Sequence, residues 1–350
     1  MTLEEAILQI RPLNREVMEI TSHRWDSIAK PLHSLGKLEQ ITIQMAGITG
    51  EPDFPFEKRA LVAFCADNGV VEEGVTQTGQ EVTAIVAENF LKGDTSVCAM
   101  CRQAGVDLIP LDMGMVTDTK VRKDFKVAYG TKNMLKEPAM SREEAVKGIE
   151  GGIAVAEELK SHGYQLLAVG EMGIGNTTTS SAVASVLLKQ DPAVMTGRGA
   201  GLSSQGLTRK IQVITESIAK HQPNPEDPVD VLAKVGGFDI AGMVGLYIGA
   251  AALHLPVIMD GFISCVAGLT AVKICPQVSD YLIASHVSKE PAAHWILEAM
   301  NKEAVLHADM CLGEGTGAVS LIPFLEMGAA VYHSMSTFED IHVDQYEEFS

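Results

Sequence analysis

Along this chain, short runs of apolar residues end repeatedly in an acid with a glycine close behind. Leu61-Val62-Ala63-Phe64-Cys65-Ala66 runs into Asp67-Asn68-Gly69, and Val106-Asp107-Leu108-Ile109-Pro110-Leu111 into Asp112-Met113-Gly114. Leu166-Leu167-Ala168-Val169-Gly170 leads to Glu171-Met172-Gly173, and Pro256-Val257-Ile258-Met259 to Asp260-Gly261. Short runs without apolar–polar alternation read as strands buried on both faces. Helical spacing lies between them, over Glu81–Lys92 and from the capping box Ser141-Arg142-Glu143-Glu144 through Leu159. Strands of this kind alternating with helices predict an α/β fold: a parallel, Rossmann-like sheet with helices on both faces. A further strand is expected over 281–284. Leu3, Ala6, Ile7, Ile10 and Leu13 predict one amphipathic helix over 3–19, a second helix runs through Met45-Ala46-Gly47, and two more are expected at about 290–308 and 319–335. The long connection 128–140, with Gly130 and Pro138, is a candidate lid. Ligands of such sheets gather outside the carboxyl ends of the strands, so Asp67, Asp112, Glu171 and Asp260 should arrive at one rim. Acids there also serve as helix caps, but four such endings favour a site.

Composition narrows the function classes. The 350 residues, 46% hydrophobic, suffice for one large domain or two. Thirty-two glycines against 5% aromatic residues suit an enzyme with many tight turns better than a module built on aromatic stacking. A net charge of −18 argues against a nucleic-acid partner, which calls for clustered lysine and arginine. It leaves room for an anionic small molecule held by a local nest of amides. Six cysteines without disulfide spacing, and an N-terminus without a basic segment followed by an apolar core, lead us to expect a cytoplasmic protein with reduced thiols. Cys98 and Cys101 read as core packing on one helix face, and no pattern of metal ligands is found. The longest uncharged run, from Ile240 to Met259, carries several glycines and Pro256. It reads as a buried helix entering a buried strand, not a membrane span.

Three segments carry candidate chemistry. Gly170-Glu171-Met172-Gly173-Ile174-Gly175-Asn176-Thr177-Thr178-Thr179-Ser180-Ser181 joins a strand end, a glycine loop and a hydroxyl-rich helix start. Free amides and the helix dipole make such a segment a phosphate cradle. It matches neither the dinucleotide fingerprint nor the triphosphate loop, so a monophosphate is the natural ligand, although a tight turn with hydroxyl caps reads the same way. Gly197-Arg198-Gly199-Ala200-Gly201 precedes a helix bearing Arg209 and Lys210, either of which can neutralise a phosphate. Leu312-Gly313-Glu314-Gly315-Thr316-Gly317 sets a lone carboxylate between glycines, a setting that suits a general base and equally a surface turn. A phosphate nest with isolated carboxylates suits phosphoribosyl transfer.

At this point the residues carry a resemblance. Asp67-Asn68-Gly69-Val70, Glu81-Val82-Thr83-Ala84-Ile85, Gly170 through Thr178, Val229 through Asp239, Asp260-Gly261-Phe262 and Leu312 through Gly317 resemble the nicotinate-nucleotide:dimethylbenzimidazole phosphoribosyltransferases, in order and over nearly the whole chain. The resemblance implies transfer of phosphoribose from nicotinate mononucleotide to a lower-ligand base such as 5,6-dimethylbenzimidazole, giving the α-riboside phosphate of cobamides and nicotinate, without a cofactor. It implies a homodimer whose subunit has a large α/β domain, 30–290, and a small helical domain from both chain ends, 1–29 and 291–350. Glu314 would be the general base and Glu171 a second acid at the ribose. Gly173, Gly199 and Gly261 would bind phosphate through backbone amides, with Lys210 as cation. Thr78, Met172 and Leu312 would lie against the incoming base.

Two positions depart from the family pattern. Val86 stands where glutamine often faces the base, and Asn68 where histidine is common. The base pocket is then more apolar, and the acceptor is open among dimethylbenzimidazole, simpler benzimidazoles, purines and phenols. A nucleotide-binding regulatory module would use the nest but leave Glu314 idle. A nucleoside phosphorylase would require inorganic phosphate.

Overall fold

The computed structural model describes residues 1–346. Its centre is a five-stranded parallel sheet, β1 Arg59–Ala66, β2 Asp107–Gly114, β3 Leu166–Met172, β4 Val257–Met259 and β5 Leu282–Ala284, in the order β2-β1-β3-β4-β5. The apolar runs behave as their lack of alternation requires. Val62, Phe64, Leu167, Val169, Val257 and Met259 enter the core on one face, while Leu61, Ala63, Leu166, Ala168 and Ile258 enter the core on the other.

The helices in chain order are α1 Leu3–Gln9, α2 Arg15–Ser27, α3 Lys37–Thr49, α4 Glu81–Lys92 and α5 Ser96–Ala104. After β2 come α6 Arg142–Ser161, α7 Asn176–Leu188, α8 Pro192–Met195, α9 Ser204–His221, α10 Pro228–Val235 and α11 Phe238–Ala252. The chain closes with α12 Phe262–Ile274, α13 Ala293–Ala299 and α14 Thr316–Ser334. Helices α6, α7, α10, α11 and α12 cover one sheet face, while α2, α4, α5 and α14 cover the other. The uncharged run takes in most of α11 and then β4, both fully buried, with Leu253 and His254 partly exposed between them, and no helix among the described residues is long and apolar enough to cross a membrane. Cys98 and Cys101 are buried on α5.

Several expectations need correction. The opening helix is two helices, because Pro12 lacks the N–H that a continuous helix would need and Asn14 instead caps α2 by accepting from Val17 N at 3.2 Å. The helix expected near 290–308 is confined to α13, and residues beyond it run alongside the loop after β5, where Leu306 N donates to Ser285 O at 2.8 Å. Segment 128–140 is no free lid. Thr131 N donates to Asp67 O at 3.0 Å, Ala139 N to Lys234 O at 3.1 Å and Met140 N to Ala233 O at 2.9 Å, which straps it down.

Candidate active site

The rim of β3 and the start of α14 meet at the Gly-Glu-Gly turn. Gly313, Glu314 and Gly315 lie at φ 88°, 62° and 93°, three consecutive left-handed residues. Such a conformation strains a residue with a Cβ by about 1–3 kcal/mol, so Glu314 needs outside support to hold it. Asp260 supplies that support. Its carboxylate accepts from Gly315 N at 3.1 Å, Gly317 N at 2.7 Å and Ala318 N at 3.2 Å, capping a helix whose own cap residue, Gly315, has no side chain. Gly170 of β3 packs so closely that a Cβ there would overlap the Glu314 carbonyl. The Glu314 carboxyl is half-buried and pushed up by burial, with the Val97 amide at the start of α5 pulling the other way. Its Oε2 is buried without a hydrogen-bond partner, and the Thr95 hydroxyl also favours the ionised form of the carboxyl.

Opposite this turn, two helices begin without side-chain caps. The cap positions of α7 and α12 are Gly175 and Gly261, and neither helix start is satisfied by a side chain. Gly173, Gly199 and Gly261 line one cavity of about 250 Å³ together with Glu171, Asp260, Glu290 and Glu314. Lys210 is fully buried behind the wall, donating to Thr177 Oγ1 at 2.8 Å and Gly197 O at 3.3 Å, and burial lowers its ammonium to about 8. Two uncapped helix starts and one buried cation lie at this end of the cavity, the kinds of group that attract an anion.

The family model described as Phosphoribosyltransferase matches residues 10–343. A nicotinate-nucleotide–dimethylbenzimidazole phosphoribosyltransferase of Ruminiclostridium cellulolyticum is 49% identical over 350 residues, 99% of each chain. One of the same name from Acetivibrio thermocellus is 46% identical over 347 residues, again 99% of each. The crystal structure of CobT from Thermus thermophilus superposes with a TM-score of 0.89 at 36% identity, covering 95% of this chain and 100% of that one. This chain belongs to that phosphoribosyltransferase family.

Within the family framework, a buried acid network lies beside the anion site. Asn176 donates to Glu171 Oε2 and, at 3.1 Å, to Asp239 Oδ2. Burial, with the Asp239 and Asp260 charges nearby, pushes Glu171 up to about 8, and burial pushes Asp239 to about 6. Near neutral pH Glu171 is therefore largely a protonated carboxyl that can donate a hydrogen bond. A carboxyl raised in the folded state binds its proton more tightly there than in the unfolded chain, so stability is lost as pH rises from the ordinary carboxylate range through about 8. Replacing Glu171 with glutamine is expected to flatten this dependence. Melting curves between pH 5 and pH 8.5 should show the variant losing less stability than the native protein, and an equal loss in both would remove Glu171 as the source.

Of the sequence-derived candidates, the cavity wall brings together Glu171, Met172, Gly173, Gly199, Gly261, Val86, Leu312 and Glu314. Lys210 stands one layer behind it. Thr78 is not on the wall; it lies exposed in the loop before α4, where Thr76 Oγ1 donates to its carbonyl at 2.7 Å. Asn68 is buried beneath Gly173 and Gly237, outside the cavity, so its departure from the common histidine alters the floor and not the wall. Asp112 is a local cap and ion pair, accepting from Met115 N at 2.7 Å and from Lys126 at 3.0 Å. Asp67 accepts from Val116 N at 2.8 Å, likewise away from the cavity. Sequence reasoning missed three contributors: Asp239, visible only as the last letter of a motif; Asp260 as a clamp on the base turn; and Glu290, whose Lys-Glu-Pro setting looks like an ordinary surface loop.

Proposed function

We propose that this chain transfers the 5-phosphoribosyl group of nicotinate mononucleotide to a benzimidazole-type base, releasing nicotinate and forming the α-ribazole 5'-phosphate used in cobamide nucleotide-loop assembly. The observation that carries this reading is a half-buried carboxylate with a bare oxygen, on a clamped left-handed turn, sharing one cavity with an anion cradle. The phosphate takes the amides of Gly173, Gly199 and Gly261, with Lys210 countering its charge. The C1'–N bond joins ribose to a cationic pyridinium, so its electron pair leaves with nicotinate as a neutral ring and no general acid is needed. Positive charge builds on the ribose, and the Asp260 carboxylate stabilises it, while the protonated Glu171 is a hydrogen-bond donor beside it. The unprotonated ring nitrogen of the azole attacks from the opposite face, inverting β to α, and the proton on its other ring nitrogen passes to Glu314. We read the two chain ends as a small helical domain and the molecule as a homodimer on the same family grounds.

The base end of the cavity is lined by Val86, Met172 and Leu312, which offer no hydrogen bond to an exocyclic amine. In a multiple-turnover assay of nicotinate release, 5,6-dimethylbenzimidazole should exceed unsubstituted benzimidazole in kcat/KM by roughly fourfold to fifteenfold, from one or two buried methyl groups at about 0.8 kcal/mol each. Adenine should be poorer than either, since its amine loses water without gaining a partner. Release that depends on inorganic phosphate and not on a base would instead mark a phosphorylase, and no turnover with any acceptor would leave only a binding module.

A further inference from the structure

A carboxyl of the protein itself sits in the anion cradle. Glu290, in the loop after β5, accepts from Gly199 N through Oε1 at 3.0 Å, the amide that the phosphate would use under the reading above. Its Oε2 is buried and has no hydrogen-bond partner, and the residue packs so closely on Gly197 that a Cβ there would overlap it. Burial pushes the Glu290 carboxyl up, and Lys210 behind the same wall pulls part of the way back. A carboxylate with one satisfied and one bare oxygen, in a nest built for several, is under-bonded where it sits. Phosphate has more oxygens and more charge for the same donors. Among the described residues, none of the other acids on the wall accepts from an amide of this cradle.

We propose that Glu290 is an internal placeholder for the substrate phosphate, occupying the Gly199 amide until the phosphate of the nucleotide displaces it. The exchange of one anion for another keeps the Lys210 amine from facing an empty, acidic cavity. It also sets a threshold. A small anion such as inorganic phosphate must displace Glu290 with nothing else to bind it, whereas nicotinate mononucleotide brings the contacts of its ribose and ring.

The inference rests on the phosphate reading, and calorimetric titration separates the two. Inorganic phosphate and nicotinate mononucleotide are titrated separately into the native protein, Glu290→Gln, Glu290→Ala and Lys210→Met. Removing a like charge from the nest should tighten inorganic phosphate by about tenfold or more in Glu290→Gln. The mononucleotide should gain less, so that the two ligands' affinities draw together. Glu290→Ala, which vacates the amide altogether, should show the same direction, and it stands in if the glutamine variant does not fold. Phosphate binding that is Lys210-dependent in the native protein but unchanged or weaker in both Glu290 variants overturns the placeholder while leaving the cradle intact. Mononucleotide binding indifferent to Lys210→Met, with no phosphate binding in any of the proteins, overturns both.

Discussion

Glu314→Gln is expected to lower kcat by roughly 10²–10⁴-fold, the ordinary worth of general-base assistance, while nicotinate mononucleotide still binds. Glutamine keeps the shape of the side chain and the left-handed turn, so Asp260 continues to hold the amides of Gly315, Gly317 and Ala318. What it loses is the ability to accept a proton. The attacking azole must then shed its proton to water. The measurement is single-turnover nicotinate release at saturating base, alongside mononucleotide binding. The split matters, because collapse of the turn would weaken binding and turnover together. An unchanged rate would remove Glu314 from the role. Unchanged chemistry with weaker binding of the base would make it a contact only.

Lys210→Met is expected to raise KM for nicotinate mononucleotide by roughly 10–10²-fold with a smaller change in kcat, since a charge-assisted bond lost from a buried anion site is worth about 1.5–3 kcal/mol. Methionine fills the volume of the lysine stem without its charge. Burial has brought the ammonium to about 8, so its charge is lost as pH rises past that value, and the native KM should climb from there. The variant should lack that rise. A KM unaffected by the substitution would leave the helix starts and amides of Gly173, Gly199 and Gly261 as sufficient for phosphate, with Lys210 serving the fold alone.

The parallel sheet was legible because its strands are apolar on both faces, and the buried run from Ile240 was legible because glycine and proline interrupt it where a helix gives way to a strand. Helix ends were less so. The periodicity of Leu3, Ala6, Ile7, Ile10 and Leu13 continues across Pro12, yet the missing N–H and the Asn14 cap divide the helix in two. The glycine loop after β3 was legible as an uncapped helix start, since helix starts and glycines act through the backbone within a few residues. Glu314 was visible because glycines flank it, although the same letters fit a surface turn.

Local pattern determined the strands, most helices, the glycine-rich loops and the lone Glu314 between glycines, because each is a property of neighbours along the chain. Tertiary structure alone decided which acids share the site. Asp112 and Asp67 follow the same strand–acid–glycine rule as Glu171 and Asp260, but only the latter two border the cavity. Packing also gave Asp260 its task, bringing it against a turn 55 residues away in sequence at Gly315. It placed Glu290 in the cradle, 91 residues from the Gly199 amide that it occupies. Hydrogen bonds over such separations leave no periodicity to read, since what joins the partners is the order of strands in the sheet.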